Sequence, residues 1–335
     1  MANHLFGYMP DGTPIEEYEL HSDKLCVSIL TLGGILRTLK VNGRDVIGGY
    51  DTLEAYLYEA GGSYQGAIIG RVGNRIANGR FRQNGKLYRL AKNNGKHHLH
   101  GGEIGFNLRV WTVEEADDAH LTLSLFSPDG EEGYPSNLFV KVTYTVEGDA
   151  LMLAYNATSD GDTPINLTNH TYFNLGGLDS GDVLDYTAQI HADTYTEVDA
   201  ELIPTGAHPA VAGTPFDFRA PKRIGADLGD ALEGYDHNFI FAGAPMGEVC
   251  DTVLPHVATI TGKDMALEVY TDAPCAQFYT ANFLFGLPDF KGGVKRERRH
   301  AFCFETQREP DGVNHGAEPL HAGELFHTVT VYRFV

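Results

Sequence analysis

The sequence is poor in cysteine, with four in 335 residues: Cys26, Cys250, Cys275 and Cys303. None belongs to a C-x-x-C pair or a dense framework, so a disulfide-stapled fold is not indicated and a reducing compartment is expected. Long hydrophobic runs are also missing, because no stretch approaches the roughly 18 apolar residues of a membrane helix. The N-terminal residues lack the basic and apolar regions of a signal peptide. We therefore expect a cytoplasmic protein with no membrane partner.

Positive charge is scarce as well. The chain has 25 lysines and arginines against 45 acidic residues, a formal net charge of −20. This balance argues against nucleic acid or an anionic membrane surface as a partner, and it favours a neutral or cationic ligand. The apolar fraction of 42% and the charged fraction of 21% are those of an ordinary globular protein.

The usual phosphate and nucleophile motifs are absent. Residues 70–76, GRVGNRI, contain neither G-x-G-x-x-G nor the G-K-[ST] ending of a phosphate-binding loop. Asn74 and Arg75 are better interpreted as hydrogen-bond donors to a ligand, or as residues that stabilise a turn. No G-x-S-x-G elbow is present, which argues against an α/β-hydrolase.

A histidine-rich stretch, KHHLHGG at residues 96–102, raises the question of a metal site. His98 and His100 would share one face of a strand, and the H-x-H spacing resembles that of cupin-type metal sites. No suitably spaced Glu and His follow, so we favour His100 as a sugar-contacting or structural residue. The glycines after it permit a close backbone approach.

Strand signals dominate the rest of the chain. Apolar residues alternate over 140–146 and 151–157 with a turn at 147–149, which predicts a hairpin. Further strands are predicted around 121–125 and 327–334, and a hairpin over 79–90 turns at Asn84-Gly85. The one short helix candidate is 52–60, with Asp51 or Thr52 as its cap. This pattern predicts an all-β protein, a large antiparallel β-sandwich with few short helices.

The longest irregular region runs from about Pro204 to Gly234. It could separate two domains, but the strand signals on both sides are alike. We interpret it as a long loop that helps to build a site, and we expect a single domain over residues 1–335.

The most informative segment is NLTNHTYFNL at residues 166–175. As a strand, it would project Leu167 and Phe173 towards a core, while His170 and Tyr172 would project with other polar groups from the opposite face. A core-anchored strand can hold a titratable side chain rigidly in a polar site. The alternative is a satisfied structural histidine.

Other strands carry polar groups in the same way. In AFCFETQ, residues 301–307, Glu305 and Gln307 lie opposite two phenylalanines. Asp236 enters a strand after the long loop, and Gln277 alternates with Phe278. The alternatives are an exposed edge glutamate and an Asx turn. Together these candidates fit a polyhydroxylated neutral ligand and proton transfer.

Several of these stretches, taken together, resemble the motifs of the aldose 1-epimerase family, in the family's order. The matching segments are GRVGNRIANGRF (70–81), NNGKHHLHGG (93–102), DGEEGYPSNL (129–138), NLTNHTYFNL (166–175), YDHNF (235–239), QFYTANF (277–283) and FETQ (304–307). They extend over essentially the whole chain. The resemblance implies a β-supersandwich with its site in a cleft on a concave sheet face.

The resemblance also implies roles for individual residues. His170 would be the proton donor and Glu305 the proton acceptor. The implied sugar contacts are Asn74, Arg75, His100, Tyr172, Asp236 and Gln277. The family uses no organic cofactor and no catalytic metal, and acts on free aldohexoses such as galactose and glucose in sugar catabolism. We therefore expect a small-molecule sugar substrate and a monomer or homodimer.

Two further expectations can be tested by the structure. His97 and His98 depart from the family pattern and would alter sugar preference if they reached the site. The ordinary pKa values of about 4.3 for glutamate and about 6.5 for histidine would make Glu305 anionic and His170 cationic at weakly acidic to neutral pH.

Three alternatives stay open at this point. The first is a non-catalytic sugar-binding module on the same scaffold. The second is an epimerase of a phosphorylated sugar, which would need a basic cluster beyond Arg75. The third is a glycoside hydrolase that uses Asp236 and Glu305 as paired carboxylates.

Overall fold

The structure is a computed structural model that describes residues 2–58, 62–229 and 232–335. Strands dominate these residues. The first part of the chain contains β1 (Ala2–Tyr8), β2 (Pro14–His21), β3 (Leu25–Leu30), β4 (Leu36–Val41), β5 (Arg44–Asp45), β6 (Ile68–Ile69), β7 (Arg75–Ile76), β8 (Arg80–Gln83), β9 (Lys86–Arg89), β10 (His98–Leu99), β11 (Thr112–Ala116), β12 (His120–Ser127), β13 (Leu138–Glu147) and β14 (Ala150–Ser159). The second part contains β15 (Thr168–Asn169), β16 (Thr187–Ile190), β17 (Ala192–Tyr195), β18 (Lys222–Arg223), β19 (Asp236–Phe241), β20 (Met246–Val249), β21 (Thr252–Thr261), β22 (Ala266–Thr271), β23 (Cys275–Tyr279), β24 (Gly286–Phe290), β25 (Val294–Arg296), β26 (Cys303–Gln307) and β27 (Leu325–Phe334).

Helical structure is limited to short segments. The α-helix found in the described residues, α1, spans Leu53–Tyr58. Thr52 caps it, because its Oγ1 accepts a hydrogen bond from the Ala55 N–H at 3.3 Å. Residues 59 and 60 of the predicted helix lie outside the described residues. Single 3₁₀ turns occur at Ala77–Gly79, Phe106–Leu108, Glu131–Gly133, Ile224–Asp227, Lys291–Gly293 and Gly312–Asn314. None of the described helices is long and apolar enough to cross a membrane.

One large antiparallel sheet forms the back of the molecule. Its strands follow the order β11-β12-β13-β14-β27-β22-β21-β16-β18, and β20 pairs with β21 beside them. The hairpin predicted around 147–149 is confirmed, because Glu147 lies opposite Ala150 at the end of the β13–β14 ladder. The hairpin at Asn84-Gly85 is also confirmed, as the turn between β8 and β9.

Two smaller sheets face the core from the other side. One is five-stranded, β1-β2-β3-β4-β5, and the other is four-stranded, β17-β19-β23-β26. A single core cluster joins all three sheets, with Leu20 and Leu39 from the five-stranded sheet, Val142 and Leu153 from the large sheet, and Phe278 from the four-stranded sheet. The predicted all-β sandwich is therefore confirmed.

The four-stranded sheet separates an apolar face from a polar one. Because side chains alternate along a strand, Phe278 and Phe304 enter the core while Gln277 and Glu305 point to the other side. The apolar alternate positions anchor the sheet, and the polar ones are presented on a rigid surface.

The segment 166–175 is not the continuous strand that alternation predicts. Only Thr168–Asn169 forms a ladder, as β15 paired with β6. Elsewhere the segment bonds to several loops: the Phe173 N–H donates to the Phe302 carbonyl at 2.7 Å, and the side chains of Asn166 and Asn174 bond backbone groups of distant turns. Side-chain amides thus replace the regular ladder, which is why the periodicity was misleading.

The described residues of the long segment 204–234 do not line the cleft that this segment was predicted to help build. Its Phe218 is 1% exposed and packs against the Tyr235 ring, with ring centroids 5.0 Å apart. The described residues of the segment cover the edge of the core beside the four-stranded sheet. Their function in the structure is therefore packing.

Candidate active site

A cleft of about 670 Å³ of empty space opens on the polar face of the four-stranded sheet. It is lined by Gly62, Tyr64, Asn74, Arg75, Asn94, Leu99, His100, His170, Tyr172, Asp236, Gln277, Tyr279, Phe283 and Glu305. All of the site residues predicted from the sequence are in this list. The structure therefore brings segments from residue 74 to residue 305 into one cavity.

Three neighbouring strands supply the floor of the cleft. Gln277 of β23 lies directly opposite Glu305 of β26, and Asp236 of β19 lies opposite Tyr279 of β23. The Gln277 Nε2 donates a hydrogen bond to the Asp236 Oδ1 at 2.6 Å. The Gln277 Oε1 and the Glu305 Oε2 are buried and have no hydrogen-bond partner among the described residues. These two oxygen atoms can accept hydrogen bonds from ligand hydroxyl groups.

A two-stranded ladder, β7 with β10, supplies one wall. The His100 N–H donates to the Asn74 carbonyl at 3.1 Å, and the Asn74 N–H donates to the His100 Nδ1 at 3.2 Å. The Arg75 Nε donates to the Asn94 Oδ1 at 3.2 Å. After His100 the chain passes so close to Gly70 that a Cβ on Gly101 would lie 1.8 Å from the Gly70 carbonyl oxygen. The close approach expected from the glycine pair is therefore present.

His170 and Glu305 meet in the middle of the cleft. The His170 Nε2 lies 3.7 Å from the Glu305 Oε1, and both side chains are almost completely buried. Glu305 is held by its strand. His170 is held by backbone bonds on both sides, because its N–H donates to the Ala67 carbonyl at 2.9 Å and its carbonyl accepts from the Gly66 N–H at 2.9 Å.

Burial changes the acid–base chemistry of the carboxyl groups. It raises the pKa of Glu305 well above its ordinary value, and the nearby Asp236 carboxylate raises it further while Arg75 opposes the shift. Burial also raises the pKa of Asp236, against the effects of Arg75 and of the Gln277 hydrogen bond. The cleft therefore favours the neutral form of Glu305 more than an exposed site would.

Burial has the opposite effect on the histidines. It lowers the pKa of His170 to about 4 and the pKa of His100 well below its ordinary value. The lowered pKa of His170 contradicts the expectation that it is cationic at weakly acidic to neutral pH in the free cleft. The raised pKa of Glu305 opposes its anionic form, so burial favours the neutral forms of both groups.

The imidazoles of His100 and His170 and the carboxylate of Glu305 could be considered as a metal site, because one ligand atom of each lies within 4.8 Å of the others. The His100 Nδ1 accepts a hydrogen bond from the Asn74 N–H, so the neutral ring carries its proton on Nε2. A metal-binding histidine instead donates from its second nitrogen. The donor set thus favours a hydrogen-bonding site over a metal centre.

His97 and His98 do not line the cleft, so the expectation that they alter sugar preference has no structural support. His98 is fully buried; its Nδ1 bonds the Ala91 carbonyl at 2.8 Å and its Nε2 bonds the Tyr134 hydroxyl at 2.6 Å. His97 accepts a hydrogen bond from the Asn78 N–H at 3.0 Å. Both are structural histidines.

Several lining residues were missed by sequence reasoning. Tyr279 could have been found, because it alternates with Gln277 on β23. Tyr64 could not, because its position depends on a positive φ of 55° in a loop rather than on a periodic pattern. Asn74 and His100 also have positive φ values, 61° and 50°. Such conformations are unfavourable for non-glycine residues, and they cluster at functional sites.

Comparison with known proteins identifies relatives over the full chain. A family model described as aldose 1-epimerase matches residues 16–333. The chain is 44% identical to galactose mutarotase from Homo sapiens over 340 residues, covering 98% of this chain and 97% of the relative. It is 40% identical to aldose 1-epimerase from Haemophilus influenzae over 320 residues, covering 91% of this chain and 90% of the relative. The solved structure of galactose 1-epimerase from Lactobacillus acidophilus superposes with a TM-score of 0.86 at 30% identity, covering 100% of this chain and 98% of that structure's chain.

Proposed function

The chain belongs to the aldose 1-epimerase family, and we propose that Glu305 and His170 carry out its reaction as base and acid. The enzyme is a mutarotase, a carbohydrate isomerase that interconverts the α and β anomers of aldoses. As its substrates we propose free aldohexoses such as D-galactose and D-glucose. The names of the relatives, galactose mutarotase and galactose 1-epimerase, support galactose in particular.

One observation carries the assignment of acid and base: the 3.7 Å separation between the His170 Nε2 and the Glu305 Oε1. Mutarotation needs proton transfer at two oxygen atoms, the anomeric hydroxyl and the ring oxygen. Both are bonded to the same carbon, so the acid and the base must be close neighbours. A pair at this separation can contact both oxygen atoms at hydrogen-bond distance.

The reaction then follows in two stages. Glu305 removes the proton of the anomeric hydroxyl while His170 donates a proton to the ring oxygen, and the bond between the anomeric carbon and the ring oxygen breaks. The resulting aldehyde rotates by half a turn, and the same groups reverse their transfers to close the ring on its other face. No covalent enzyme intermediate is needed, and each acid–base group contributes roughly 10²–10⁴-fold.

A single proton shared between Glu305 and His170 would let the buried pair act as base and acid. The reaction needs one proton on the pair in total, carried by His170 when the ring opens. A bound sugar hydroxyl that donates to Glu305 would favour its carboxylate form, as Arg75 does.

The remaining polar groups would hold the sugar while its anomeric carbon rotates. Asp236, Gln277, Asn74, Arg75 and the Nε2 proton of His100 offer fixed donors and acceptors around the cavity. Tyr172 offers an apolar face for the C–H groups of the ring. Without these contacts the open-chain aldehyde would be free to leave.

Some broader features are part of the same proposal. A single domain over residues 1–335 is supported by the core cluster, which includes residues from Tyr18 to Phe334. A cytoplasmic location is supported by the four free cysteines. As before, we expect a monomer or a homodimer.

Polarimetry on freshly dissolved α-D-galactose and α-D-glucose tests the function. With the purified protein, the rotation should decay faster to the same equilibrium value, and the rate ratio ranks the two sugars. The control is an equal concentration of heat-denatured protein. No acceleration with either sugar would contradict the proposed substrates, and sugar phosphates would be assayed next.

The pH dependence of kcat/KM provides a second prediction. The pair gains a second proton only near the lowered His170 pKa of about 4, and it loses its last proton only above the raised pKa of Glu305. We therefore expect the acid limb of the kcat/KM profile near pH 4 and the alkaline limb above the ordinary pKa range of a glutamate. An acid limb at or above the ordinary histidine pKa of about 6.5 would contradict this prediction.

A further inference from the structure

The His170 ring is packed between two tyrosines. It stacks on Tyr172 with ring centroids 5.0 Å apart and an interplanar angle of 28°, and on Tyr64 with 5.8 Å and 27°. The rings of His100 and Tyr279 contact it edge-on, at 5.3 and 6.3 Å. A ring packed in this way can rotate about its bonds only if one of the tyrosines moves.

Tyr64 lies at the start of the turn whose backbone holds His170 in place. The loop that follows it bonds both sides of His170 through Gly66 and Ala67, and the Asn169 Nδ2 donates to the Gly66 carbonyl at 2.9 Å. Tyr64 itself closes this turn, because its carbonyl accepts from the Ala67 N–H at 3.0 Å. The tyrosine and the histidine are therefore positioned as one unit.

The far nitrogen of the His170 ring contacts a thiol. The Cys303 Sγ lies 3.6 Å from the Nδ1. Cys303 is fully buried and precedes Glu305 by two positions, so both side chains project from the same face of β26. One strand thus contacts the histidine at both of its nitrogen atoms.

We propose that Tyr64 and Cys303 are positioning residues for the acid: Tyr64 fixes the plane of the His170 ring, and Cys303 keeps Nδ1 turned away so that Nε2 faces the sugar and Glu305. This inference rests on the proposed function. It assigns neither residue a direct part in proton transfer to the sugar.

A thiol suits this position for a chemical reason. Sulfur is a weak hydrogen-bond acceptor, so it stabilises an imidazolium less than a carbonyl or carboxylate would. Burial raises the pKa of the Cys303 thiol well above its ordinary value, which keeps it neutral. A thiol contact therefore raises the pKa of His170 less than a carboxylate contact at the same nitrogen would. The other titratable or charged groups around it are Glu305, Asp236, Arg75, His100, Tyr64, Tyr172 and Tyr279.

The test combines activity with a direct readout of the ring. In Cys303→Ser, the hydroxyl oxygen accepts more strongly from Nδ1–H, so we expect the acid limb of the kcat/KM profile to move to higher pH. In Cys303→Ala and Tyr64→Leu, we expect kcat to fall roughly tenfold or more, because a misplaced acid loses alignment. Tyr64→Phe keeps the ring and should restore kcat.

The matched control is Cys275→Ser. Cys275 is also buried in the four-stranded sheet, but its Sγ contacts the Gln307 carbonyl at 3.3 Å and lies away from His170. This variant should retain the wild-type kcat and pH profile. A profile that moves equally in both serine variants, or an unchanged kcat in both Cys303→Ala and Tyr64→Leu, would overturn the proposal.

Nitrogen-15 NMR of the imidazole in the free protein separates this inference from the proposed function. Cys303→Ser should change the His170 Nδ1 shift and leave the His100 shifts unchanged. An unchanged Nδ1 shift would refute the contact even if the protein were an active mutarotase. If Cys303→Ser changed the Nδ1 shift while the wild-type protein showed no mutarotase activity, the contact would be supported and the proposed function rejected.

Discussion

Glu305→Gln lowers kcat for anomer exchange by about 10²–10⁴-fold, the usual contribution of a general base. The amide has nearly the same shape as the carboxyl group but cannot accept a proton from the anomeric hydroxyl. Because Glu305 is 2% exposed and held within β26, the substitution leaves the cleft in place. Calorimetry should therefore find a sugar Kd close to the wild-type value, while polarimetry finds the loss of turnover.

Glu309→Gln is the matched control. Glu309 follows shortly after β26, and its carboxylate accepts from the Thr196 hydroxyl at 3.0 Å and bonds His208 at 2.5 Å, away from the cleft-lining residues. It should keep near-wild-type kcat. Near-normal turnover in Glu305→Gln would remove Glu305 as the base and direct attention to Asp236.

Arg71→Met destabilises the fold by roughly 3–5 kcal/mol, as expected when a buried charged group with many partners is removed. Arg71 is 1% exposed, and burial lowers its pKa to about 10, so it is still protonated at neutral pH. Its two terminal nitrogens donate to the carbonyls of Ser127, Pro128, Pro135 and Ser136 and to the hydroxyls of Ser127 and Thr163, at 2.6–3.3 Å.

Arg71→Met lowers the stability this much because it removes all of the guanidinium hydrogen-bond donors at once. Methionine would fill part of the volume but leave the carbonyl oxygens unsatisfied in a buried region, and each such group is costly. Denaturation in urea, with the midpoint and the slope both recorded, measures the change. The control is Arg80→Met in the exposed β8–β9 hairpin, which should stay within about 0.5 kcal/mol. Equal losses in the two variants would contradict this account of Arg71.

The strand-borne part of the site could be predicted because strand alternation is a local property. Once Phe278 and Phe304 are assigned to the core, Gln277 and Glu305 must face the other way. The same logic failed for residues 166–175, where side-chain amides of Asn166 and Asn174 replace the ladder. His170 nevertheless reached the cleft, because backbone bonds to the Tyr64–Ala67 turn place it there.

The acid–base properties could not be predicted in the same way. Burial of His170 and Glu305 depends on what surrounds them, and residues far apart in the chain, from Gly62 to Glu305, provide that environment. Ordinary pKa values therefore could not indicate that burial lowers the pKa of His170 and raises that of Glu305. The same dependence on tertiary neighbours explains why His97 and His98 proved structural and why Tyr64 was missed.

The sequence by itself determined the fold class, the family resemblance and most of the polar groups that reach the cleft, because hairpin turns, alternation and motif order are encoded over short stretches. Only the tertiary structure decided which groups meet. It placed the His170 Nε2 3.7 Å from the Glu305 Oε1, put a thiol and two tyrosines around the His170 ring, and set the direction of each pKa shift. Distances and desolvation arise from contacts between residues far apart in the chain, and no local pattern encodes them.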